Sequence, residues 1–180
     1  MMCGELENTK AALPLLLLSP NGQHSHGSNR DRFVMNPAAT TPEELHWYEF
    51  LGQLTAIALL QKETVLSLNL CSVVWKQLVQ ETADASDLAA FDQMVCQSLH
   101  KIKHIDEEGI DESLFGELIF ETFTTQLSNG THVELCDSGA EIDVTWANRA
   151  RYCELVMRAR LRESRAQVHA MLRGISTMLP

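Results

Sequence analysis

The chain has 180 residues, and its 24 acidic side chains against 14 basic ones give a net charge of −10. A surplus of this sign argues against a nucleic-acid partner, because phosphates require basic side chains. The hydrophobic fraction of 45% is sufficient for the core of one large domain or two small ones.

The charge is unevenly distributed. From Asn148 to the end there are seven arginines and two glutamates, a net of 7 − 2 = +5, so the preceding residues carry −15. Two interpretations remain open. The arginines are either ordinary solvated helix faces, or a basic surface that meets an acidic partner or an acidic part of a longer chain.

The five cysteines are odd in number and show no CxxC spacing, which is typical of reduced thiols in a cytosolic or nuclear protein. A catalytic thiolate requires a basic, partly exposed setting. Cys71 and Cys96 fall in apolar helical patterns and are predicted to fill the core, whereas Cys136 and Cys153 each adjoin a carboxylate. No cysteine of the chain is therefore predicted to be a nucleophile.

In chain order, residues 1–12 are predicted to be a disordered N-terminus, and Leu13 to Leu18 a short buried strand. The charge before this apolar run has the wrong sign for a secretory signal. Residues 19–32 are rich in Ser, Asn, Gly and His and are predicted to form an exposed loop.

The sequence TTPEEL is a strong helix start, because Thr41 can cap, Pro42 suits the first helical position and Glu44 completes a capping box. The helix is predicted over 42–61. Gly52 lies in its middle, where glycine costs roughly 1 kcal/mol relative to alanine. We therefore expect another backbone to approach closely there.

A wide apolar face predicts that this helix is a central core element. The face comprises Trp47, Phe50, Leu51, Leu54, Ile57 and Ala58, widened by Leu45, Tyr48, Leu59 and Leu60. A membrane span needs about 20 mainly apolar residues. Glu49 and Gln53 interrupt this run, so no membrane span is predicted.

Further helices are predicted over 70–80 and 84–102, followed by an acidic loop at 104–113. His100 and His104 have a metal-ligand spacing but no third ligand, so they are predicted to be surface residues and no metal or cofactor is expected.

The stretch 118–145 alternates in a β pattern, with a hairpin turn at Asn129-Gly130 and a short strand at 141–144. Thr145 is predicted to cap a helix over 146–161, and 163–176 is predicted to be the last helix. These elements predict an α+β fold that is mostly helical, with a small antiparallel sheet.

The order of these segments resembles the N-terminal lobe of HECT-type ubiquitin ligases, and the entry segment is most similar to the HERC-like branch. The resemblance rests on motifs that occur in the family's order over residues 13–180. They are PLLLLSPNG, YEFLGQLTAIALL, LSLNLCSVVWKQLV, DLAAFDQMVCQSL, VELCDSGAEIDVTWANRARYCELV and QVHAMLRGISTMLP.

The resemblance implies a thioester mechanism, in which a ubiquitin-conjugating enzyme passes ubiquitin to a ligase cysteine and then to a substrate lysine. That cysteine occupies a TCFN-like motif that this sequence lacks, so it is expected beyond Pro180, together with the subdomain that docks the conjugating enzyme and the catalytic C-terminal lobe. Residues 13–180 are then a partial HECT domain that supplies scaffold and is inactive alone. The alternative is a noncatalytic helical binding or decoy module.

Some family members also bind ubiquitin noncovalently through an aromatic residue of this lobe. The nearest position here is Leu127, and its companion residues have no counterpart, so no residue is assigned to such a site. The expected location of the protein is cytoplasmic, with the nucleus as a further possibility. A lobe without its neighbours is also expected to expose apolar surface, and therefore either to be weakly stable or to self-associate when made alone.

Overall fold

The computed structural model describes residues 15–61 and 66–179, and these form an α+β fold that is mostly helical, as the sequence predicts. The predicted disordered end at 1–12 and the predicted start of the first strand lie outside the described residues. Eight α-helices are found in the described residues. They are α1 Pro20–Gln23, α2 Pro42–Leu60, α3 Ser72–Leu78, α4 Ala85–Phe91, α5 Gln93–Lys103, α6 Glu112–Leu118, α7 Arg149–Leu161 and α8 Arg165–Met178.

Two small antiparallel sheets accompany the helices. Strand β1, Leu16–Leu18, pairs with β2, Phe33–Met35. Strand β3, Thr124–Gln126, pairs with β4, His132–Glu134, across the predicted hairpin turn. Leu16, Val34 and Met35 of the β1–β2 sheet lie in the hydrophobic core, and Phe123, directly before β3, joins the same core.

The prediction of an exposed loop at 19–32 is wrong for its first residues. Ser19 caps the short helix α1, accepting a hydrogen bond from the Gly22 amide, and Asn21 is only 1% exposed. The Asn21 amide donates to the carbonyls of Ala89 and Ala90, while its oxygen accepts from a backbone amide at the start of α5. Composition suggests a loop because polar side chains are usually exposed, but these are buried with their hydrogen bonds satisfied.

The predicted start and length of α2 are confirmed. Thr41 and Glu44 form the capping box, and the Thr41 hydrogen bonds lower the pKa of Glu44. The predicted apolar face is confirmed at Leu51 and Tyr48 but wrong at Trp47 and Phe50, which are 41% and 40% exposed. The buried side of α2 instead contains Tyr48, Leu51, Gly52, Thr55 and Ala56.

The reason for this burial is the crossing of α2 and α8, which pack together more extensively than any other pair of described elements. A Cβ on Gly52 would collide with the backbone of Met171, and a Cβ on Gly174 would collide with the backbone of Glu49. The close approach predicted at Gly52 is therefore confirmed, and Gly174 makes the reciprocal contact.

Helix boundaries differ from the sequence predictions at three places. The helix predicted over 84–102 is divided at Asp92, whose carboxylate caps α5 by accepting from the Val95 amide. The predicted acidic loop contains a 3₁₀ helix, Ile105–Glu108, and the first residues of α6. Asn148, not Thr145, precedes α7, and its side chain closes the turn by accepting from the Thr145 amide.

The predicted strand at 141–144 is a single isolated bridge in the structure. Thr122 and Asp143 form this bridge, and the Phe123 amide donates to the Ile142 carbonyl beside it. A 3₁₀ helix, Gly139–Glu141, replaces the first predicted strand residue. The segment therefore connects the β3–β4 hairpin to α7 without adding a third strand.

Alanine substitutions test the crossing. Gly52→Ala and Gly174→Ala should each lower the free energy of unfolding by about 1–3 kcal/mol, because overpacking outweighs the better helix propensity of alanine. Gly52→Leu should be more damaging. Urea denaturation measures the change.

Gly116→Ala is the matched control, since Gly116 lies in α6 and an added Cβ there meets nothing within 4 Å. It should be neutral or stabilising by up to about 1 kcal/mol. Equal effects at positions 52 and 116 would contradict a backbone contact at the crossing.

Candidate functional site

The described cysteines are structural rather than activated. Burial raises the pKa of the Cys71 thiol to about 12, and burial also raises the pKa of Cys96 and Cys153. The Cys153 thiol donates to the Leu99 carbonyl at 3.4 Å. Cys136 is half-buried and packs against the core. A nucleophilic thiolate requires the opposite setting, in which the pKa is lowered.

The histidine pair of α5 lies at the surface. The rings of His100 and His104 are 4.7 Å apart, and His104 Nδ1 is 3.0 Å from a Glu107 carboxylate oxygen. Within residues 15–61 and 66–179, no group of three potential metal-ligating side chains comes together. The same residues contain no helix with the length and hydropathy required to cross a bilayer.

Arg160 is the centre of a buried ionic cluster, and its side chain is only 2% exposed. Its guanidinium lies 2.9 Å from an Asp92 carboxylate oxygen and 3.0 Å from a Glu163 carboxylate oxygen. It also donates to the Ser128 hydroxyl at 3.1 Å and to the Gln126 carbonyl. The Ser128 hydroxyl in turn donates to Glu163.

This cluster joins three parts of the fold. Asp92 lies between α4 and α5, Ser128 lies in the β3–β4 loop, and Arg160 and Glu163 lie at the end of α7. One guanidinium serves two carboxylates, so the cluster carries a surplus negative charge. Burial raises the pKa of Glu163, although Arg160 opposes this shift. The cluster fixes the hairpin to the helices, with each charged group paired as buried charges require.

The arginines of the C-terminal segment have several different roles, so neither sequence interpretation holds for all of them. Arg160 is in the core, and Arg149 stacks on Trp146 at 3.8 Å while pairing with Asp106 at 3.2 Å. Arg158 pairs with Glu154 on the surface of α7. Five arginines of this segment remain exposed, namely Arg151, Arg158, Arg162, Arg165 and Arg173.

Leu127, the position nearest to the family's noncovalent ubiquitin contact, lies half-buried in the β3–β4 loop. Its amide donates to the Thr131 carbonyl, which closes the hairpin. Sequence analysis did not identify the cluster around Arg160. The spacing of Arg160 and Glu163 is the one local signal, since residues three apart share a helix face.

Substitutions distinguish the contributions of Arg160 and Glu163 to the stability of the fold. Arg160→Met should lower the free energy of unfolding by about 3–5 kcal/mol at neutral pH, because it leaves two buried carboxylates uncompensated. Glu163→Gln should lower the free energy of unfolding by less than Arg160→Met does. It removes the surplus negative charge and keeps a hydrogen-bond acceptor for Ser128. Denaturant titration measures both variants.

The same substitutions predict a pH dependence. Since the native pKa of Glu163 is raised above 4.5, the native state binds more protons than the unfolded state between 4.5 and that higher value. The contribution of Glu163 to stability is therefore complete below pH 4.5 and is lost as the pH rises through the native pKa. The wild type should be most stable relative to Glu163→Gln at the acid end. A relative stability that rises with pH would contradict the raised pKa.

Comparison with known proteins places these features in a family. The model of the HECT domain (ubiquitin-transferase) matches residues 5–180. The mouse and human proteins named E3 ubiquitin-protein ligase HERC2 are each 35% identical to the chain over 179 residues, or 99% of it. The human protein named Probable E3 ubiquitin-protein ligase HECTD4 is 30% identical over 197 residues, again covering 99% of the chain.

The matched region is a small part of those relatives. The chain spans 4% of the length of the HERC2 proteins and 5% of the length of HECTD4. The match nevertheless covers the capped helix α2, the α2–α8 crossing and the Arg160 cluster. The resemblance predicted from the sequence motifs is confirmed, and the chain belongs to the HECT-domain (ubiquitin-transferase) family.

Proposed function

We propose that this chain is the scaffold of the N-terminal lobe of a HECT-type ubiquitin-protein ligase that acts in the cytoplasm, with the nucleus as the alternative location. The observation that carries the proposal is the family match across residues 5–180. In this proposal the parent protein receives ubiquitin from a conjugating enzyme and transfers it to substrate lysines. The chain positions the parts that do the chemistry.

The chemical step in this proposal is two successive acyl transfers. A ligase thiolate attacks the ubiquitin thioester and displaces the thiolate of the conjugating enzyme, and a substrate amine then displaces the ligase thiolate. The buried settings of Cys71 and Cys153 and the half-buried setting of Cys96 support a transfer cysteine other than these three, because desolvation raises each of their pKa values.

The scaffold role is supported by the rigidity that the fold provides. Gly52 and Gly174 hold α2 against α8 at backbone contact, and Arg160 holds the β3–β4 hairpin against α7. Transfer between proteins requires reacting groups to be held within small errors of position. A frame with these buried connections is suited to that requirement.

A chimera tests the scaffold proposal directly. Residues 5–180 of this chain replace the aligned segment of the human HERC2 HECT domain, and thioester formation with ubiquitin is measured with activating and conjugating enzymes. The chimera should retain charging, because the replaced segment supplies the same frame. The same chimera with Gly52→Leu should lose charging as its frame unfolds, while Gly116→Ala should retain it. A folded chimera without charging would contradict the proposal.

The second candidate function is a noncatalytic binding or decoy module derived from a HECT domain. Exposed apolar side chains such as Leu59, Phe120 and Val79 favour it, because they offer surface for partners. Both functions predict no dithiothreitol-sensitive ubiquitin adduct on the isolated chain. The chimera distinguishes the two functions. If the chain is a decoy module, the chimera should fold but should not form the ubiquitin thioester.

A further inference from the structure

The acidic charge of the chain is concentrated around one exposed apolar patch, here called the α6 patch, formed by Leu114, Leu118 and Phe120. Phe120 is 82% exposed and Leu118 is 55% exposed. From Asp106 to Glu121 there are seven acidic residues and no lysine or arginine. Apolar side chains exposed to this degree next to one another are typical of an interaction surface.

Glu117 and Glu121 flank the α6 patch and are exposed. Glu117 lies one helical turn from Leu114, and Glu121 directly follows Phe120. Neither side chain makes an ion pair within the described part of the chain. Asp111 is used as the cap of α6, and Asp106 is paired with Arg149. The free charge at the patch is therefore negative.

A cleft of opposite character lies at the other end of α7, here called the α7–α8 cleft, with a volume of about 670 Å³. Its apolar wall is formed by side chains of the two helices, namely Met157, Leu161, Val168 and Leu172. Pockets that bind ligands commonly have volumes of about 300–1,000 Å³ and largely apolar linings.

The charges that face the cleft come from three elements. Arg158 and Glu154 of α7 neutralise each other as an ion pair, and Glu81 faces the cleft from the loop after α3. Arg162 and Arg165 are exposed, and neither forms an ion pair with another described residue. His169 of α8 completes the polar rim. Glu81 also has no ion pair among the described residues, so the two guanidinium groups exceed it by one charge and leave the cleft a weakly basic edge.

We propose that the α6 patch of one molecule docks into the α7–α8 cleft of a second copy of this chain. The patch is apolar with an acidic border, and the cleft is apolar with a basic edge, so the two surfaces match in both respects. Opposite charges across such a contact favour encounter and fix its orientation.

The positions of the two surfaces determine the kind of assembly. Asp106, which pairs with Arg149 at the start of α7, precedes the patch in the chain, whereas the cleft lining runs along α7 from Glu154 and includes no residue of the patch. Patch and cleft are therefore different faces of one molecule. A contact between unlike faces is head-to-tail, and it gives rings or open chains rather than a twofold dimer.

Sedimentation velocity of the purified chain and two paired variants tests the proposal. The patch variant is Glu117→Lys with Glu121→Lys, and the cleft variant is Arg162→Gln with Arg165→Glu. A carboxylate at position 165 suits the first turn of α8, so the cleft variant should fold. The wild type should form species larger than a dimer as its concentration rises, whereas each variant alone should remain monomeric.

Mixing the two variants is the decisive measurement. The patch variant keeps an intact cleft and the cleft variant keeps an intact patch, so an equimolar mixture should form one-to-one dimers and nothing larger. Raising NaCl from about 0.1 M to about 1 M shortens the screening length from about 10 Å to about 3 Å and should weaken association. A mixture that stays monomeric, or a monomeric wild type, would overturn the proposal.

Two single substitutions test whether a loss of association comes from a folding defect or from an interface elsewhere on the molecule. Phe120→Ser removes the most exposed ring of the patch and should lower the association constant at least as much as charge reversal, with an unchanged circular dichroism spectrum. Leu59→Ser changes another exposed residue, on α2, and should leave association unchanged. Association that is lost in Leu59→Ser and kept in Phe120→Ser would assign the contact to α2 and overturn the proposal.

Discussion

The fold depends on the crossing of α2 and α8 at Gly52 and Gly174. Each glycine costs roughly 1 kcal/mol within a helix relative to alanine, so the sequence accepts an intrinsic penalty in both helices. In return the two backbones touch. Gly52 faces the backbone of Met171 and Ile175, and Gly174 faces the backbone of Glu49 and Gln53. The crossing determines which side of α2 is buried, and it leaves Trp47 and Phe50 near the surface although the sequence suggests otherwise.

Polar groups carry the long-range order that apolar packing alone does not specify. Asn21 connects the first segment to the α4–α5 junction, and Gln167 of α8 donates to the carbonyls of Pro37 and Ala39 after β2. Arg160 connects the β3–β4 hairpin to the helices. Each of these contacts buries a polar group whose desolvation would cost free energy if it had no partner. The contacts therefore favour the one arrangement of helices and strands that provides the partners.

Short sequence motifs correctly predicted the features that depend on neighbouring residues in the chain. The capping box at Thr41 and Glu44 fixed the start of α2, Asn129-Gly130 marked the hairpin, and the cost of a mid-helix glycine pointed to a contact at Gly52. The exposed side of α2 was not predictable, because a helix that is apolar on most sides does not show which side its partner approaches.

The missed features depend on distant partners. Asp92 lies between two helices and caps the second, and it also pairs with Arg160, which is 68 positions away in the chain. Asn21 is buried because its partners at 89, 90 and 93 fold over it. No pattern within a short window contains this information, so composition placed Asn21 in an exposed loop and periodicity continued one helix through Asp92.

The charged side chains of the fold divide into a buried group around Arg160 and an exposed group at the surface. An acidic chain can place a cationic side chain in its core, as Arg160 shows, only where carboxylates and carbonyls surround it. Other arginines lie at the surface, and three of them line the α7–α8 cleft: Arg158 lies on α7, Arg162 directly follows it and Arg165 begins α8. Because α6, α7 and α8 all contribute to one hydrophobic core, the distance between the two surfaces is set by the same packing that sets the fold. Recognition through either surface therefore requires the scaffold to be intact.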